Sequence, residues 1–546
     1  MKKRSVTMSL GAAGLATLLL LPVQGCTDLS ENPPSLITSG NFFHNEAEVL
    51  AGLAGVYAQL RSTTPEGGIY DANEVSTDEI VVPIRGQDWI DGGQWIDLHN
   101  QTWTPGSAGA RAFFNGAWNS AYTGVARANL FLTAVQNATV PNKVAVMAEV
   151  RTLRAFYYYI LMDMFGGVPI VTTTDVALRP RNTRRELFDF IESELIAARD
   201  SGLPAIRPDP ESGRITKGVA DAILANMYIN AGVFTKDGAG AGGIDGAAYN
   251  SCLGVTVSGG QDACAAAIAA ADRIRNSGNY LLADSFPQIF RFDNYKSKEN
   301  IFVVKFIPAD GLGMNLTMAA LHYCQYAPLT PWNGFATLAQ TYNAFDSTDK
   351  RRKVILIGPQ SDVLTGAPAT VRVSGSCPTT WTPATSLVFT DSIRDIGSAT
   401  EGEGPRIYKW PADPAHVSQN SGNDFAWFRL GEIYLIEAEA LNEQTSGSAA
   451  ALLLLNQLRD RNGHPVAPAL VGPITRAMIL NERLFELFGE QKRRQDLIRF
   501  GQYTSRTDAA SGIVGGKQAS ADFYVLMAIP QTQMDANPQL TQNPGY

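Results

Sequence analysis

The sequence predicts a mainly α-helical fold in which helix pairs support an irregular, loop-rich half with a few short strands. One observation is the stretch 145–165, whose apolar residues recur at three- and four-residue spacing and whose opposite side carries a second apolar stripe. Another is the series of segments with helical spacing before and after it. A third is the region 286–410, where this spacing disappears and turn residues become frequent. A helix that is apolar on nearly every side needs partners all around it, so 145–165 is predicted to be the central helix.

The start of the chain has the features of an export signal followed by a leader. Basic residues 2–4 precede an apolar run, Met8–Leu21, that is too short to span a bilayer comfortably as a mature helix. A glycine then stands directly before Cys26, which resembles the processing site of a bacterial lipoprotein. We predict a signal peptide over 1–25, a lipidated Cys26 and an extended polar leader over 26–41. An ordinary secretory signal with an incidental cysteine is the alternative.

Segments with helical spacing follow one another along the rest of the chain, often with short joints between them. They are 45–60, 111–135, 145–165, 184–199, 216–233, 262–276, 427–441, 449–461 and 473–490. Large contact residues alternate with small ones, and 216–233, for example, carries several alanines that allow close packing. Such pairs are typical of tetratricopeptide-like packing, although a clean repeat period is absent. We divide the chain into an N-terminal helical part, 42–285, and a C-terminal part, 286–546.

The composition excludes one class of partner and bounds the fold. With 546 residues, of which 45% are hydrophobic and 18% charged, the chain can bury a large core. A net charge of −8 and a pI near 5.3 argue against nucleic acid as a partner. The cysteines other than Cys26 can form disulfides in an exported chain. Cys252 and Cys264 are the easiest pair, because closing so short a loop would contribute roughly 3 kcal/mol if the geometry fits.

Several short strings occur in one order along nearly the whole chain. They are Cys26 with Asp28-Leu29, Arg151–Tyr158 running to Phe165–Pro169, Gly213–Gly218, Asn423–Phe425 with Arg429 and Glu432, Glu437–Ala440, Asn481–Arg483 through Asp496-Leu497, and Asn543–Tyr546. Together they resemble the SusD/RagB family of outer-membrane nutrient-binding lipoproteins. The resemblance implies an α-rich fold and a lipid anchor in the outer membrane, facing the cell exterior. It also implies a SusC-like TonB-dependent transporter as partner, an oligosaccharide as the usual ligand, and no catalysis.

Two aromatic segments are the candidates for a ligand site. The stretch 69–109 lacks helical periodicity and is predicted to be a long loop that places tryptophans among glycines, acids, amides and an arginine. A flat aromatic face beside such groups suits a pyranose, which has apolar C–H groups on one side and hydroxyls around its edge. The candidate ligand-binding residues are Arg85, Asp88, Trp89 and Trp95 in this loop, and Trp332 and Asn333 in a second segment. Alternatively, the tryptophans only pack the loops onto the helices.

Signals for an enzyme are weaker. The five histidines are scattered without the spacing of a metal site. Glu482, Glu486 and Glu490 lie at four-residue spacing on one predicted helix face. Basic residues nearby, at 483 and 492–494, explain these glutamates as partners in ion pairs. We therefore expect a binding protein without a metal or cofactor; a peptide or another nutrient as cargo, and a surface glycoside hydrolase with an unrecognised carboxylate pair, are the alternatives.

Overall fold

The structure is a computed structural model that describes residues 45–64, 68–136, 138–140, 142–208, 211–240 and 242–546. The predicted signal peptide, Cys26 and the predicted leader lie outside these residues and stay predictions. None of the described helices is long and apolar enough to cross a bilayer.

Helices dominate the described residues, and the strands are short. The α-helices are α1 Glu46–Ala58, α2 Ile69–Val75, α3 Gln94–Asn100, α4 Asn115–Gln136, α5 Lys143–Phe165, α6 Arg184–Ser201, α7 Lys217–Ile229, α8 Ala231–Phe234, α9 Ala263–Arg275, α10 Leu316–Ala320, α11 Ala339–Ala344, α12 Leu430–Gln444, α13 Ala449–Asp460, α14 Arg476–Leu487, α15 Arg493–Arg499 and α16 Gln531–Ala536. The strands are β1 Asn300–Val304, β2 Ile355–Leu356, β3 Gly358–Pro359, β4 Val388–Phe389, β5 Arg406–Ile407 and β6 Phe425–Arg429. The predicted fold class is confirmed.

The central helix α5 is buried along most of its length, as predicted. It ends where Gly166 adopts a φ of 76°, a conformation that glycine tolerates better than other residues. On one side α4 packs closely because Gly124 faces Tyr157; a Cβ at Gly124 would lie 2.5 Å from the ring. On another side α6 pairs with α5 through Arg154 and Glu194, whose charged atoms are 2.5 Å apart. The helix therefore has partners around it, as its apolar character requires.

The remaining long helices continue this stack in chain order. Helix α6 packs on α7, α7 on α9, α9 on α12, and α12 on both α13 and α14. Thr183 forms a capping box with Glu186 at the start of α6, and Asp262 accepts hydrogen bonds from backbone N–H groups at the start of α9. The packing of consecutive helices confirms the tetratricopeptide-like arrangement expected from the sequence.

The strands of the irregular half pair in twos. Strand β1 runs antiparallel to β6, with Phe302 opposite Phe428, and the pairs β2–β5 and β3–β4 span two residues each. Strand β6 leads directly into α12. Trp427 consequently lies on a strand and not on the helix that the sequence predicts over 427–441, because a short apolar run fits both elements equally well.

The segment 69–109 is not the continuous loop that the sequence predicts, because it contains α2 and α3. Each helix has seven residues, too few for a helical period to stand out. Gly93, at φ 82°, precedes α3, and Gln101, at φ 55°, follows it, so left-handed residues set both ends of this helix. The segment 76–93, which carries Trp89, therefore has a helix at each end.

Two disulfides cross-link the described chain. Cys252–Cys264 is the pair predicted from the sequence, with Cα atoms 5.1 Å apart. Cys324–Cys377, with Cα atoms 5.5 Å apart, closes a longer loop in the irregular half. Both bonds suit a protein of an oxidising compartment.

The three glutamates of the α14 region lie in a buried ionic network. The Glu486 carboxylate accepts hydrogen bonds from the guanidinium groups of Arg351, Arg429 and Arg461. Burial opposes ionisation of Glu486, but these three cations hold its pKa well below its usual value. The partners of the other two glutamates are Arg351 and Arg459 for Glu482, and Lys409 and Arg429 for Glu490. The neutralising cations therefore come from distant segments and not from the neighbouring basic residues predicted from the sequence.

Candidate functional site

The two aromatic candidates predicted from the sequence meet in one cavity. Trp89, Trp95 and Trp332 line it, together with Phe335 and Asp71. Its volume is about 260 Å³, and apolar side chains form most of its surface. The fold brings Trp89 and Trp332 together across 243 positions of sequence. Half of the predicted ligand-binding residues thus share a single site.

A hydrogen bond from its indole N–H holds Trp89 in place, and so do two strained turns, one at Trp89 and one at Asn333. Its indole Nε1 donates a hydrogen bond to the carbonyl oxygen of Trp332 at 2.8 Å. Gly334 lies so close to the ring that a Cβ there would be 2.2 Å from it. Trp89, at φ 65°, and Asn333, at φ 52°, both occupy the left-handed region, which is uncommon for such residues and often marks functional sites. These turns fix the ring in the wall of the cavity.

Trp95 is the more deeply buried of the tryptophans in the site. Its Nε1 donates to the Asp91 carboxylate at 2.8 Å, and its ring centre lies 5.3 Å from that of Trp89 and 6.0 Å from that of Phe335. Only 7% of Trp95 is exposed, whereas Trp89 and Trp332 are partly exposed. Trp95 therefore shapes the cavity, while the other two rings are open to a ligand.

Asp71 is a site residue that the sequence interpretation missed. It lies on α2 in the cavity wall, and its carboxyl has no hydrogen-bond or ion-pair partner among the described residues. Burial raises the pKa of this carboxyl to about 7, because the ionised form loses hydration. A ligand that brings hydrogen-bond donors into the cavity would supply this carboxyl with partners. No sequence signal marks Asp71, since α2 itself falls in the segment predicted to be a loop.

Arg85 and Asn333 hold the surrounding loops and do not line the cavity. The Arg85 guanidinium donates to the backbone oxygens of Thr400 and Glu403, and burial lowers its pKa to about 10. The side-chain amide N–H of Asn333 donates to the backbone oxygen of Glu401 at 3.1 Å. The side-chain oxygen of Asn333 accepts a hydrogen bond from buried Arg406 at 3.1 Å. Both side chains are buried, so their contacts support the turn that carries Trp332 and the segment that follows Arg85.

Asp88 belongs to a polar cluster beside the cavity. Its carboxylate accepts hydrogen bonds from the Tyr323 hydroxyl and, at 3.5 Å, from Arg372. The Arg372 guanidinium lies 3.5 Å from the centre of the Tyr323 ring and donates through Nε to Glu401 at 2.6 Å. Burial opposes ionisation of Glu401, but hydrogen bonds from His322 and Arg372 lower its pKa to about 2. Asp88, Glu401 and Arg372 are each partly exposed, so the cluster presents charged groups next to the tryptophans.

The lining of the cavity offers aromatic faces and one carboxyl group. Within the described parts of the chain, no group of histidine, cysteine and acidic residues could hold a metal ion. Asp71 is the one carboxylate among the described lining residues. The fold and the site together define a class of protein: a stack of helices that carries an aromatic-lined cavity with one carboxyl in its wall.

Comparison with known proteins identifies the family within this class. The SusD family model matches residues 295–546, and a model described as starch-binding associating with outer membrane matches residues 53–229. The chain is 24% identical to the starch-binding protein SusD of Bacteroides thetaiotaomicron over 100% of both chains. It is also 24% identical to SusD-like protein P2 of Formosa agariphila, over 97% of this chain and 98% of that protein. The chain belongs to the SusD/RagB family.

Solved structures share the fold. A laminarin-binding SusD-like protein superposes with a TM-score of 0.69 at 22% identity, covering 92% of this chain and 100% of that one. The surface glycan-binding protein A from Bacteroides thetaiotaomicron in complex with laminarihexaose superposes with a TM-score of 0.68 at 20% identity, covering 91% and 99%. At these identities the likeness establishes the fold alone.

Proposed function

We propose that this protein captures an oligosaccharide in the cavity between Trp89 and Trp332, and that it binds the sugar without converting it. The observation that carries the proposal is the set of three tryptophans around one unpartnered carboxyl, that of Asp71. The partly exposed rings offer apolar faces to sugar C–H groups, and the carboxyl offers an acceptor to sugar hydroxyls. Relatives named for binding starch, laminarin and surface glycans support the same class of ligand.

A neutral sugar fits the charges of the site better than an acidic one. No cation lines the cavity among the described residues, since Arg85 is engaged by backbone oxygens. In the adjacent cluster the carboxylates of Asp88 and Glu401 outnumber the guanidinium of Arg372. A uronic acid or a sulfated sugar would therefore bring a further negative charge close to two carboxylates that share the single guanidinium of Arg372.

The alternatives of hydrolysis and peptide transport find less support in the geometry. A glycoside hydrolase needs a second carboxylate across the scissile bond, and Asp71 stands alone in the described lining. The glutamates of the α14 region are paired and buried, so no substrate reaches them. A peptide cargo has less support, because the relatives named for their ligands bind starch, laminarin and surface glycans.

We further propose that a lipid on Cys26 anchors the protein to the outer membrane, facing the exterior, and that it passes its sugar to a SusC-like TonB-dependent transporter. The export signal and the residue strings shared with the family support this, as does the outer-membrane association in the description of the second family model. Fractionation of membranes and co-purification of the transporter from mild detergent test the two parts. Recovery of the protein free of membranes, or always without the transporter, would contradict them.

Glycan binding is tested first on an array of neutral and acidic oligosaccharides with the purified chain, and then with Trp89→Ala. The substitution removes a stacking face and apolar area, so we expect a loss of about 2 kcal/mol, or roughly thirty-fold in affinity. Trp89→Phe retains an aromatic face and should lose less. Tyr295→Ala, which removes an aromatic residue that is 53% exposed outside the described lining of the cavity, is the matched control.

An array without any bound glycan would overturn the proposal. If the wild type binds a sugar and Trp89→Ala binds it equally well, the site lies elsewhere. Because Trp89 also packs on Trp95 and Gly334, the melting temperature of the Ala variant should fall as well. Affinity is therefore measured well below the melting temperature of each variant.

A further inference from the structure

A second cavity, of about 490 Å³, opens next to the one that contains Trp89 and Trp332. Its lining includes Tyr323, Cys324, Pro328, Thr330, Cys377 and Trp381. None of these residues lines the first cavity, and the second cavity has the larger volume.

One wall joins the two cavities. Leu329 lines the second cavity and Trp332 lines the first, and both pack against the same buried core cluster. Tyr323 lines the second cavity, and its hydroxyl donates to the carboxylate of Asp88, the residue that precedes Trp89. A linear molecule seated in the first cavity can thus continue along this wall into the second.

Trp381 provides the second cavity with an exposed aromatic face. It is 43% exposed, and it makes no hydrogen bond or ring contact with the described residues. Its loop is joined to the wall of the cavity by the Cys324–Cys377 disulfide, so the ring is kept near the wall. A large aromatic residue that contributes little to the core but lines a cavity is typical of a binding surface.

Hydroxyl groups, and not free charges, complete the lining of the second cavity. The side-chain hydroxyls of Thr330 and Thr379 have no partner among the described residues. The carboxylate of Asp362 is already occupied, because it accepts hydrogen bonds from the backbone N–H groups of Ala327 and Thr365. An apolar ring beside neutral donors and acceptors matches a neutral sugar and offers little to a charged ligand.

The wall between the two cavities also carries a hydrogen-bond donor that no described residue uses. The Arg372 guanidinium uses Nε for Glu401 and Nη2 for Asp88, and Nη1 has no partner among the described residues. Arg372 lies over the ring of Tyr323, which belongs to the second cavity, while its partner Asp88 adjoins Trp89. A sugar unit that crosses the wall would find a hydrogen-bond donor there.

We propose that the second cavity is an additional subsite that takes the farther units of the same neutral oligosaccharide, with Trp381 as its stacking face. The inference rests on the proposed function of the first cavity. The protein then binds long oligosaccharides. The first cavity contacts every bound sugar, and the second cavity contacts only those sugars that are long enough to reach it from the first.

The test compares short and long sugars on the purified full chain by isothermal titration calorimetry. The probes are laminaribiose with laminarihexaose, and maltose with maltohexaose. We expect Trp381→Ala to lower the affinity for the hexaose that binds by about tenfold and to leave the affinity for its disaccharide unchanged. Trp89→Ala should weaken both lengths, and Tyr295→Ala, the exposed aromatic control, should weaken neither.

The outcomes separate this inference from the proposed function. Unchanged hexaose affinity in Trp381→Ala, with a loss in Trp89→Ala, overturns the subsite and leaves the first site standing. An equal loss for both lengths in Trp381→Ala also overturns it, because the second cavity would then contact the short sugar. If neither series binds, the same comparison uses the shortest and longest members of the series bound on the glycan array, and an array without a bound glycan overturns both. Because Trp381 is exposed, its variant should keep the wild-type melting temperature, and Trp381→Phe should retain most of the affinity for the longer chain.

Discussion

At the scale of single residues, the charge state of Asp71 depends on what enters the cavity. In the empty cavity burial raises the pKa of this carboxyl to about 7, since no described residue donates to it. Sugar hydroxyls that donate hydrogen bonds favour the ionised carboxylate and therefore lower its pKa in the complex. Binding then releases a proton from the fraction of molecules in which Asp71 is protonated, and this couples affinity to pH.

We expect glycan affinity to rise by about tenfold between about pH 6 and pH 8, because the ionised fraction of Asp71 grows over that range. Calorimetry of one bound oligosaccharide at several pH values measures this. Asp71→Asn keeps the shape and an acceptor oxygen but cannot ionise, so its affinity should be lower at pH 8 and nearly independent of pH. An affinity that falls as the pH rises would show that the sugar prefers the protonated acid.

At the scale of elements, the stack depends on the close approach of α4 to α5. The approach is possible because Gly124 has no side chain where the Tyr157 ring lies, and the Tyr157 hydroxyl donates to the backbone oxygen of Val56 in α1. One ring thus contacts α4 while its hydroxyl contacts α1. A side chain at this position would push against a residue that is fixed on both sides.

Gly124→Ala should destabilise the protein by roughly 1–3 kcal/mol, because the added methyl group would overlap the Tyr157 ring. Gly116→Ala, in the same helix, is the matched control, since a Cβ there meets no atom within 4 Å. The control should be neutral or stabilising by up to about 1 kcal/mol, because alanine favours a helix more than glycine does. Thermal or urea unfolding of both variants measures the difference, and equal stabilities would show that α4 and α5 can move apart at little cost.

The elements also show what could be predicted from the sequence. The position of α5 could be predicted because its apolar spacing persists for many turns and ends at a glycine pair, and the family strings cover most of the chain. Trp89 and Trp332 could each be selected by composition, but their contact could not be foreseen, since it joins distant segments. No sequence pattern marks Asp71 as a site residue. The sequence around Arg85 predicts a ligand contact wrongly, because an arginine in a polar loop has the same sequence context whether it binds a ligand or a backbone oxygen.

At the scale of the whole molecule, buried acids act in opposite directions on the dependence of stability on pH. Burial raises the pKa of Glu74 to about 7, and burial and the adjacent Glu74 raise that of Glu79, so this pair retains a proton in the folded protein. Its contribution to the free energy of unfolding is complete below the unfolded-state pKa, at about 4, and is lost as the pH rises through about 7. The ionic network around Glu486, whose pKa is lowered, contributes above that unfolded-state value and is lost in acid.

Stability should therefore be greatest at mildly acidic pH and should fall toward alkaline pH, because the Glu74–Glu79 pair and Asp71 all have raised pKa values. Glu79→Gln keeps an acceptor for the Gly489 N–H, which donates to Glu79 at 2.6 Å, and supplies an amide donor to Glu74. In the wild type we expect this pair to lower the free energy of unfolding by on the order of 2 kcal/mol between about pH 5 and pH 7. The variant should not show this part of the decrease. Urea unfolding at several pH values measures the effect, and parallel profiles for the variant and the wild type would contradict it.

The buried ionic network also has a consequence for how the chain reaches its folded state. Glu299 and Arg461 are 162 positions apart, and Arg351 and Glu486 are 135 positions apart. Contacts between such distant segments form only after long loops have closed, which slows folding. Until those loops close, the charges of the network stay hydrated, so the network stabilises the folded state and not the early, locally ordered chain.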